Sequence, residues 1–162
     1  MSTSGATGAT TARQVVDALA DHEDAIGDLY EVYGLRFPAA ASFWRGLSAE
    51  EYGHGSLMRD LTAHEHEHEL DVFVNTKRFP LSELRAATRG VRDQIEVAER
   101  SRTTLVEALE TALGFEQEMV EREAYQVFTS DSANVARVLG HLRSSSARHR
   151  DSIRELLMRQ PR

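Results

Sequence analysis

The sequence contains no cysteine, which excludes disulfide bonds, thiolate zinc sites, cysteine-ligated iron–sulfur clusters and a thiol nucleophile. Any bound metal ion must therefore be held by nitrogen and oxygen atoms. A basic balance is also missing, because 26 acidic residues outnumber 19 basic ones and give a formal net charge of -7. Nucleic acid is therefore not expected as a partner, since phosphate binding usually appears as a net positive domain.

Long apolar runs are absent as well. No stretch of the sequence approaches the roughly 18 apolar residues that a helix needs to cross a bilayer, so we expect no membrane partner. The segment Met1 to Ala12 consists mostly of Ser, Thr, Gly and Ala and has neither the apolar core of a signal peptide nor the basic pattern of a transit helix. We expect a disordered tail over residues 1–12, one domain over residues 13–162, and a cytoplasmic location.

Apolar residues recur at three- and four-residue steps through most of the chain, which is the pattern of helices with one buried face. The pattern predicts helices over residues 13–37, 41–76, 81–100, from the capping-box sequence Thr104-Leu105-Val106-Glu107 to the Ser130-Asp131-Ser132 turn, and from there to Met158. The helix over 81–100 is the most polar and is expected to lie across the others. No strand or hairpin signal occurs, so the predicted class is all-α.

Two helical hairpins joined by a long crossover, here with an extra short helix, form the ferritin-like arrangement of a four-helix bundle. In each predicted hairpin, polar groups interrupt the apolar stripes at similar distances from the connecting turn. Glu51 and His54 form a Glu-x-x-His pair on one helix face. The other three stripes are interrupted by Glu23, Glu116 and His149.

Acidic and imidazole groups that face a core are costly to desolvate unless they are neutralised, and a metal ion neutralises them most completely. Carboxylates with imidazoles and no sulfur suit iron or manganese, and bridging carboxylates let two such ions lie side by side. Such a pair can react with dioxygen or peroxide. The simpler interpretation of the same residues is a buried structural network in which the acids pair with His54, His149 or an arginine.

Several segments resemble the rubrerythrin-like branch of the ferritin-like di-iron carboxylate proteins. The most specific match is Phe43-Trp44-Arg45-Gly46-Leu47-Ser48-Ala49-Glu50-Glu51-Tyr52-Gly53-His54. Glu23 with Tyr30 and Phe37-Pro38, Ala108-Leu109 with Glu116, and Leu142 with His149 are similar to the remaining helices of the family. The resemblance covers nearly everything after the tail.

The resemblance implies a site for two iron ions with Glu23, Glu51 and Glu116 as ligands or bridges and His54 and His149 as terminal ligands. It also implies an oxidoreductase that reacts with dioxygen or peroxide, and a homodimer. Glu121 lies where the family is often acidic and is a further candidate ligand.

Two departures from the family pattern stand out. Ser146 occupies the position three residues before His149, where a second Glu-x-x-His pair would have its carboxylate. The site is therefore mononuclear, asymmetric, or completed by water or by another acid such as Glu121 or Glu123. The cysteine-rich module of full-length rubrerythrins is absent, so reductase activity would need an external electron donor. Iron binding or storage without turnover, and a metal-free helical interaction module, are the alternative functions.

Overall fold

The computed structural model describes residues 10–63, 74–77, 80–121 and 133–161, with the backbone alone at residues 119–121 and 134. Within these ranges the chain forms five α-helices and no strand, which confirms the predicted all-α class. The helices are α1 (Ala12–Arg36), α2 (Ala41–Thr62), α3 (Leu81–Arg100), α4 (Leu105–Glu121) and α5 (Ala133–Met158), with a short 3-10 turn at Pro38–Ala40 between α1 and α2. None of the described helices is long and apolar enough to span a bilayer.

Helix α1 begins at Ala12 because Thr11 and Gln14 form a capping box. The Thr11 hydroxyl accepts from the Gln14 backbone N–H at 3.2 Å, and the Gln14 side chain accepts from the Thr11 N–H at 3.0 Å. Ala12, the first residue of α1, is fully buried. Residues 1–9 of the predicted tail lie outside the described residues.

The second helix is shorter than its sequence pattern predicts. Helix α2 is described to Thr62, and residues 74–77 are not helical, so the prediction of a helix reaching Thr76 is wrong at its end. Asn75 explains the local structure there, because its side-chain oxygen accepts from the Lys77 backbone N–H at 3.1 Å. Such a local turn competes with helical hydrogen bonding.

Helix α3 has the predicted bounds but a different orientation, because it lies lengthwise beside α1 and parallel to it rather than across the bundle. Thr88, in its first half, contacts His22 at 3.3 Å, and the Ala98 carbonyl near its end accepts from Arg36 at 2.8 Å. The buried residues of α3 form one stripe along its whole length: Leu84, Thr88, Val91 and Ala98. A buried stripe along a whole helix fits a neighbouring helix that runs alongside it.

Contacts between the helices give their directions. Helix α2 runs antiparallel to α1, since Arg13 near the start of α1 donates to the Thr62 carbonyl at 3.3 Å. Helix α4 also runs antiparallel to α1, because Arg36 contacts the Thr103 carbonyl just before α4, whereas Tyr30 contacts Glu116 farther along it. Helix α5 runs antiparallel to α2, because His149 contacts Glu51 whereas His141 lies beside His54. Helices α1 and α5 therefore point one way, α2 and α4 the other, and α3 lies in the crossover.

The apolar core is divided into two clusters. The first core cluster contains Ala12, Val15, Val16, Ala18, Leu19, Ala20, Met58, Val74, Leu84, Leu139 and Leu142. The second core cluster contains Ala25, Ile26, Leu29, Tyr30, Tyr33, Ala40, Trp44, Leu47, Val91, Ala98, Ala108, Leu109, Ala112 and Ile153. Between them, on α1, α2, α4 and α5, lies a layer of buried polar side chains.

Candidate metal site

The buried polar layer contains the five residues that the sequence predicts as principal metal ligands. They come from four helices and each is 2% or 3% exposed: Glu23, Glu51, His54, Glu116 and His149. The structure brings these five residues together in two overlapping groups. The side chain of Glu121 and the whole of Glu123 lie outside the described residues, so their participation stays a prediction.

One group of possible ligands joins α1 and α2. His54 Nδ1 lies 2.9 Å from Glu51 Oε2 and 3.8 Å from Glu23 Oε2. The first contact follows from the Glu-x-x-His spacing, which places both side chains on one face of α2. Glu23, Glu51 and His54 together form the first triad, in which one ligand atom from each residue lies within 4.8 Å of the others.

A second group joins α2, α4 and α5. His149 Nδ1 lies 2.5 Å from Glu51 Oε1 and 3.6 Å from Glu116 Oε1. Glu51, Glu116 and His149 form the second triad, also with ligand atoms within 4.8 Å of one another. Glu51 belongs to both triads and turns one oxygen toward each histidine. Each triad could hold a metal ion, and Glu51 is positioned to bridge the two.

Hydrogen bonding in the second triad is incomplete. Glu51 Oε1 and His149 Nδ1 are buried and lie 2.5 Å apart, yet neither has an aligned hydrogen bond. A buried polar atom left unpaired costs about 1–3 kcal/mol. The two atoms form a close ion pair in the metal-free protein, and they are also the oxygen and the nitrogen that a cation at the second triad would use. The donor set of oxygen and imidazole nitrogen fits iron or manganese.

The histidines and acids of the layer perturb one another strongly. Burial alone would lower the pKa of His149, but its contacts with Glu116 and Glu51 outweigh burial and raise that pKa to about 11. His54 behaves alike: its contacts with Glu23 and Glu51 raise its pKa to about 9 against the opposing effect of burial. Without a metal ion, both imidazoles are therefore cationic at neutral pH and offset the negative charge of the acids.

The pKa values of Glu51 and Glu23 are shifted in opposite directions. Burial raises the pKa of Glu51 to about 8, and the negative charge of Glu116 acts in the same direction. For Glu23, the contacts with His54 and Glu51 outweigh burial and lower the pKa to about 2. Burial and the neighbouring Glu116 therefore favour the protonated form of Glu51, the shared residue, whereas the contacts of Glu23 with His54 and Glu51 favour its ionised form.

Partners outside the two triads hold several of these residues. The Tyr30 hydroxyl, fully buried, donates to Glu116 Oε1 at 2.7 Å, as the spacing between Glu23 and Tyr30 allows. The side chain of Glu50 is 48% exposed. Its Oε2 nevertheless lies 3.2 Å from His149 Nε2, a contact between α2 and α5 that no local sequence pattern indicates.

The sequence also gives no signal for His22. This residue is buried, and its Nδ1 lies 3.3 Å from the Thr88 hydroxyl, which itself donates to the Leu84 carbonyl. Burial lowers the pKa of His22. The contact could not be predicted from the sequence because α3 was expected to cross the bundle rather than to cover α1.

Ser146 leaves α5 without the carboxylate that the family pattern would place there. It is 2% exposed, and its hydroxyl donates to the Leu142 carbonyl at 3.3 Å, within its own helix. The described ligand candidates are therefore three carboxylates and two imidazoles. Each triad contributes two carboxylates and one imidazole because Glu51 is counted in both.

Comparisons with known proteins add no assignment: no protein-family model matches the chain, and neither the curated proteins nor the solved structures include a significant match.

Proposed function

We propose that the protein is a ferritin-like metalloprotein of the rubrerythrin type, which binds two iron ions and reacts with dioxygen or peroxide. The observation that carries the proposal is the pair of buried Glu/Glu/His triads that share Glu51. The helix directions support it, since two antiparallel hairpins joined by a lengthwise crossover are the connectivity of ferritin-like bundles.

The composition of the site favours a reactive rather than a purely structural metal centre. Each triad offers three side chains, fewer than the six ligands of an octahedral ion, so positions remain for water or a small substrate. Ser146 increases this openness on the side of His149. Manganese is the alternative ion because it prefers the same oxygen and nitrogen donors.

The residues of the chain would divide the work as follows. Glu51 would be shared between the two ion positions, Glu23 and His54 would hold one ion, and Glu116 and His149 would hold the other. Iron bound there would supply one-electron redox chemistry toward dioxygen or peroxide. The two core clusters exclude water from the layer, which limits the escape of reactive products. With no cysteine in the chain, reducing equivalents come from an external electron donor.

Metal analysis of protein purified under iron-replete conditions tests the proposal. We expect about two iron ions per chain, as in other dinuclear carboxylate bundles. Glu51→Gln should reduce the content at both triads because the residue is shared. The matched control is Asp60→Asn, which alters an exposed acid on the same helix and should leave the metal content unchanged.

Three results would separate the alternatives. Well under one equivalent of any transition metal, with no thermal shift on adding ferrous iron, would reject metal binding and favour a metal-free helical interaction module. Bound iron whose colour cycles repeatedly between a reductant and peroxide supports an oxidoreductase. Bound iron that does not cycle, especially in a large cage on size-exclusion chromatography, supports storage. The homodimer that the family resemblance implies is tested in the same column run with light scattering.

A further inference from the structure

A hydrogen-bonded group on the solvent side of His149 supports the second triad. The carboxylate of Glu50 receives three contacts on its Oε2 atom: the Ser145 hydroxyl at 3.0 Å, Arg148 Nη2 at 2.9 Å and His149 Nε2 at 3.2 Å. Arg148 also donates to the Ser145 hydroxyl at 3.1 Å. Ser145 is fully buried. We call these three residues, Glu50, Ser145 and Arg148, the Glu50 group.

The Glu50 group determines which nitrogen of His149 faces the triad. A carboxylate paired with an arginine is an acceptor only, so His149 Nε2 must carry the proton in that contact. The other nitrogen, Nδ1, is then the one that can offer a lone pair, and it lies 2.5 Å from Glu51 and 3.6 Å from Glu116. This is the carboxylate–histidine–metal arrangement, in which an outer carboxylate fixes the imidazole orientation.

Among the described residues, the histidine of the first triad has no comparable support. His54 Nδ1 faces Glu23 and Glu51, but His54 Nε2 is buried without a hydrogen-bond partner among the described residues. The ring of His141 lies near it, edge-on with a centroid distance of 6.3 Å, but it makes no hydrogen bond to that nitrogen. The orientation of His54 is therefore less constrained than that of His149.

Both terminal ligands of the second triad have a hydrogen-bond partner outside the triad. Tyr30 donates to Glu116 at 2.7 Å, and Glu50 accepts from His149 at 3.2 Å. Ligands that are already oriented lose less freedom when an ion binds, which raises affinity. Outer partners of this kind typically contribute 10–100-fold to metal affinity.

We propose that the two triads fill in order, with Glu51, Glu116 and His149 binding the first ion, and that Glu50 is the positioning residue that sets this order. The inference rests on the proposed metal-binding function. It adds that the two ion positions are unequal and that a half-exposed glutamate, not itself a ligand, makes them so.

Titration of the metal-free protein with Co²⁺, followed by calorimetry and visible absorption, tests the order. Wild type should bind in two resolved steps. Glu50→Ala should weaken the tighter step about 10–100-fold and leave the weaker step unchanged. Glu50→Gln, which keeps an acceptor oxygen, should restore part of the affinity. Asp60→Ala removes an exposed acid from the same helix and should change neither step.

Two ligand variants assign the steps to the triads. His149→Asn should abolish the tighter step, and His54→Asn should abolish the weaker one. Because His64, His66 and His68 are possible cobalt ligands in their own right, the titrations are repeated with all three replaced by glutamine, and both steps should persist.

The outcomes distinguish this inference from the function on which it rests. No cobalt binding by the wild type would reject the metal-binding function itself. The inference alone would be overturned if Glu50→Ala left both binding steps unchanged or weakened them equally. It would also be overturned if His54→Asn removed the tighter step. Thermal unfolding of the metal-free variants checks that they fold. If Glu50→Ala does not fold, Glu50→Gln replaces it in the comparison. In that variant, an unchanged affinity for the tighter step together with unchanged ¹⁵N chemical shifts of the His149 imidazole would contradict the role of Glu50.

Discussion

At the residue scale, the five principal ligand candidates were predictable because helical spacing is local. Glu51 and His54 share a face at a separation of three residues, and Glu23, Glu116 and His149 interrupt apolar stripes that must face a core. The partners Glu50, Thr88 and Ser145 were not predictable. Their contacts depend on how helices distant in sequence pack, and Glu50 in particular looks like an ordinary surface glutamate.

Tyr30 offers a test of a single contact behind a ligand. Tyr30→Phe removes the hydroxyl that donates to Glu116 at 2.7 Å but keeps the ring, which packs on Trp44 with a centroid distance of 5.4 Å. We expect the affinity of the second triad for Co²⁺ to fall about 10-fold, the lower end of the range for such partners. Calorimetric titration measures the change.

The control for Tyr30→Phe is Tyr33→Phe, which removes a hydroxyl from the same helix and the same core cluster, where that hydroxyl hydrogen-bonds Thr111 and not Glu116. Cobalt affinity should not change in this variant. An equal loss in both variants would show that the effect comes from general loosening of the aromatic cluster and not from the contact with Glu116.

At the element scale, the spacing of apolar residues predicted where helices form, but it did not predict how α3 is oriented. The bounds 81–100 of α3 were predicted correctly, but its direction depends on the stripe from Leu84 to Ala98 finding a partner along its whole length. Similarly, the apolar residues beyond Thr62 suggested a continued helix, but Val74 is buried in the first core cluster from a non-helical segment. Tertiary burial here overrides local periodicity.

The close approach of α1 and α2 depends on Gly55. A Cβ atom at this position would collide with the Asp24 carboxylate and lie 3.1 Å from the Ala20 carbonyl. Asp24 is held by Arg59 at 2.6 Å, and the carbonyl belongs to the backbone of α1, so neither moves freely. We expect Gly55→Ala to lower the free energy of unfolding by about 1–3 kcal/mol through overpacking, measured by denaturant unfolding of the metal-free protein.

Gly53 provides the matched control on the same helix, because a Cβ atom there would meet nothing within 4 Å. Gly53→Ala should stabilise the protein by about 0.5–1 kcal/mol, the difference in helix propensity between the two residues. If Gly55→Ala and Gly53→Ala changed the free energy of unfolding in the same direction, the close approach of α1 and α2 at Gly55 would be contradicted.

At the scale of the whole molecule, the buried layer makes stability depend on pH in opposite ways with and without metal. In the metal-free protein, the pKa values of His54 and His149 are raised to about 9 and about 11. Their contribution to stability is therefore fully present below about pH 6.5, the ordinary pKa of histidine, and is lost as the pH rises through 9 to 11. The pKa of Glu51, raised to about 8, adds a loss between about pH 4.5 and 8.

Metal binding reverses this dependence because a metal ligand must give up its proton. At neutral pH, loading both triads should release protons from Glu51, His54 and His149, so metal affinity should rise with pH. We expect the metal-free protein to lose thermal stability from pH 6 to pH 9, and the stabilisation produced by Co²⁺ to grow over the same interval. Thermal unfolding with and without Co²⁺ at each pH tests this, and calorimetry in buffers of different ionisation enthalpy counts the released protons. If the layer is only a structural network, the metal-free trend persists, but added Co²⁺ neither releases protons nor changes the unfolding temperature at any pH.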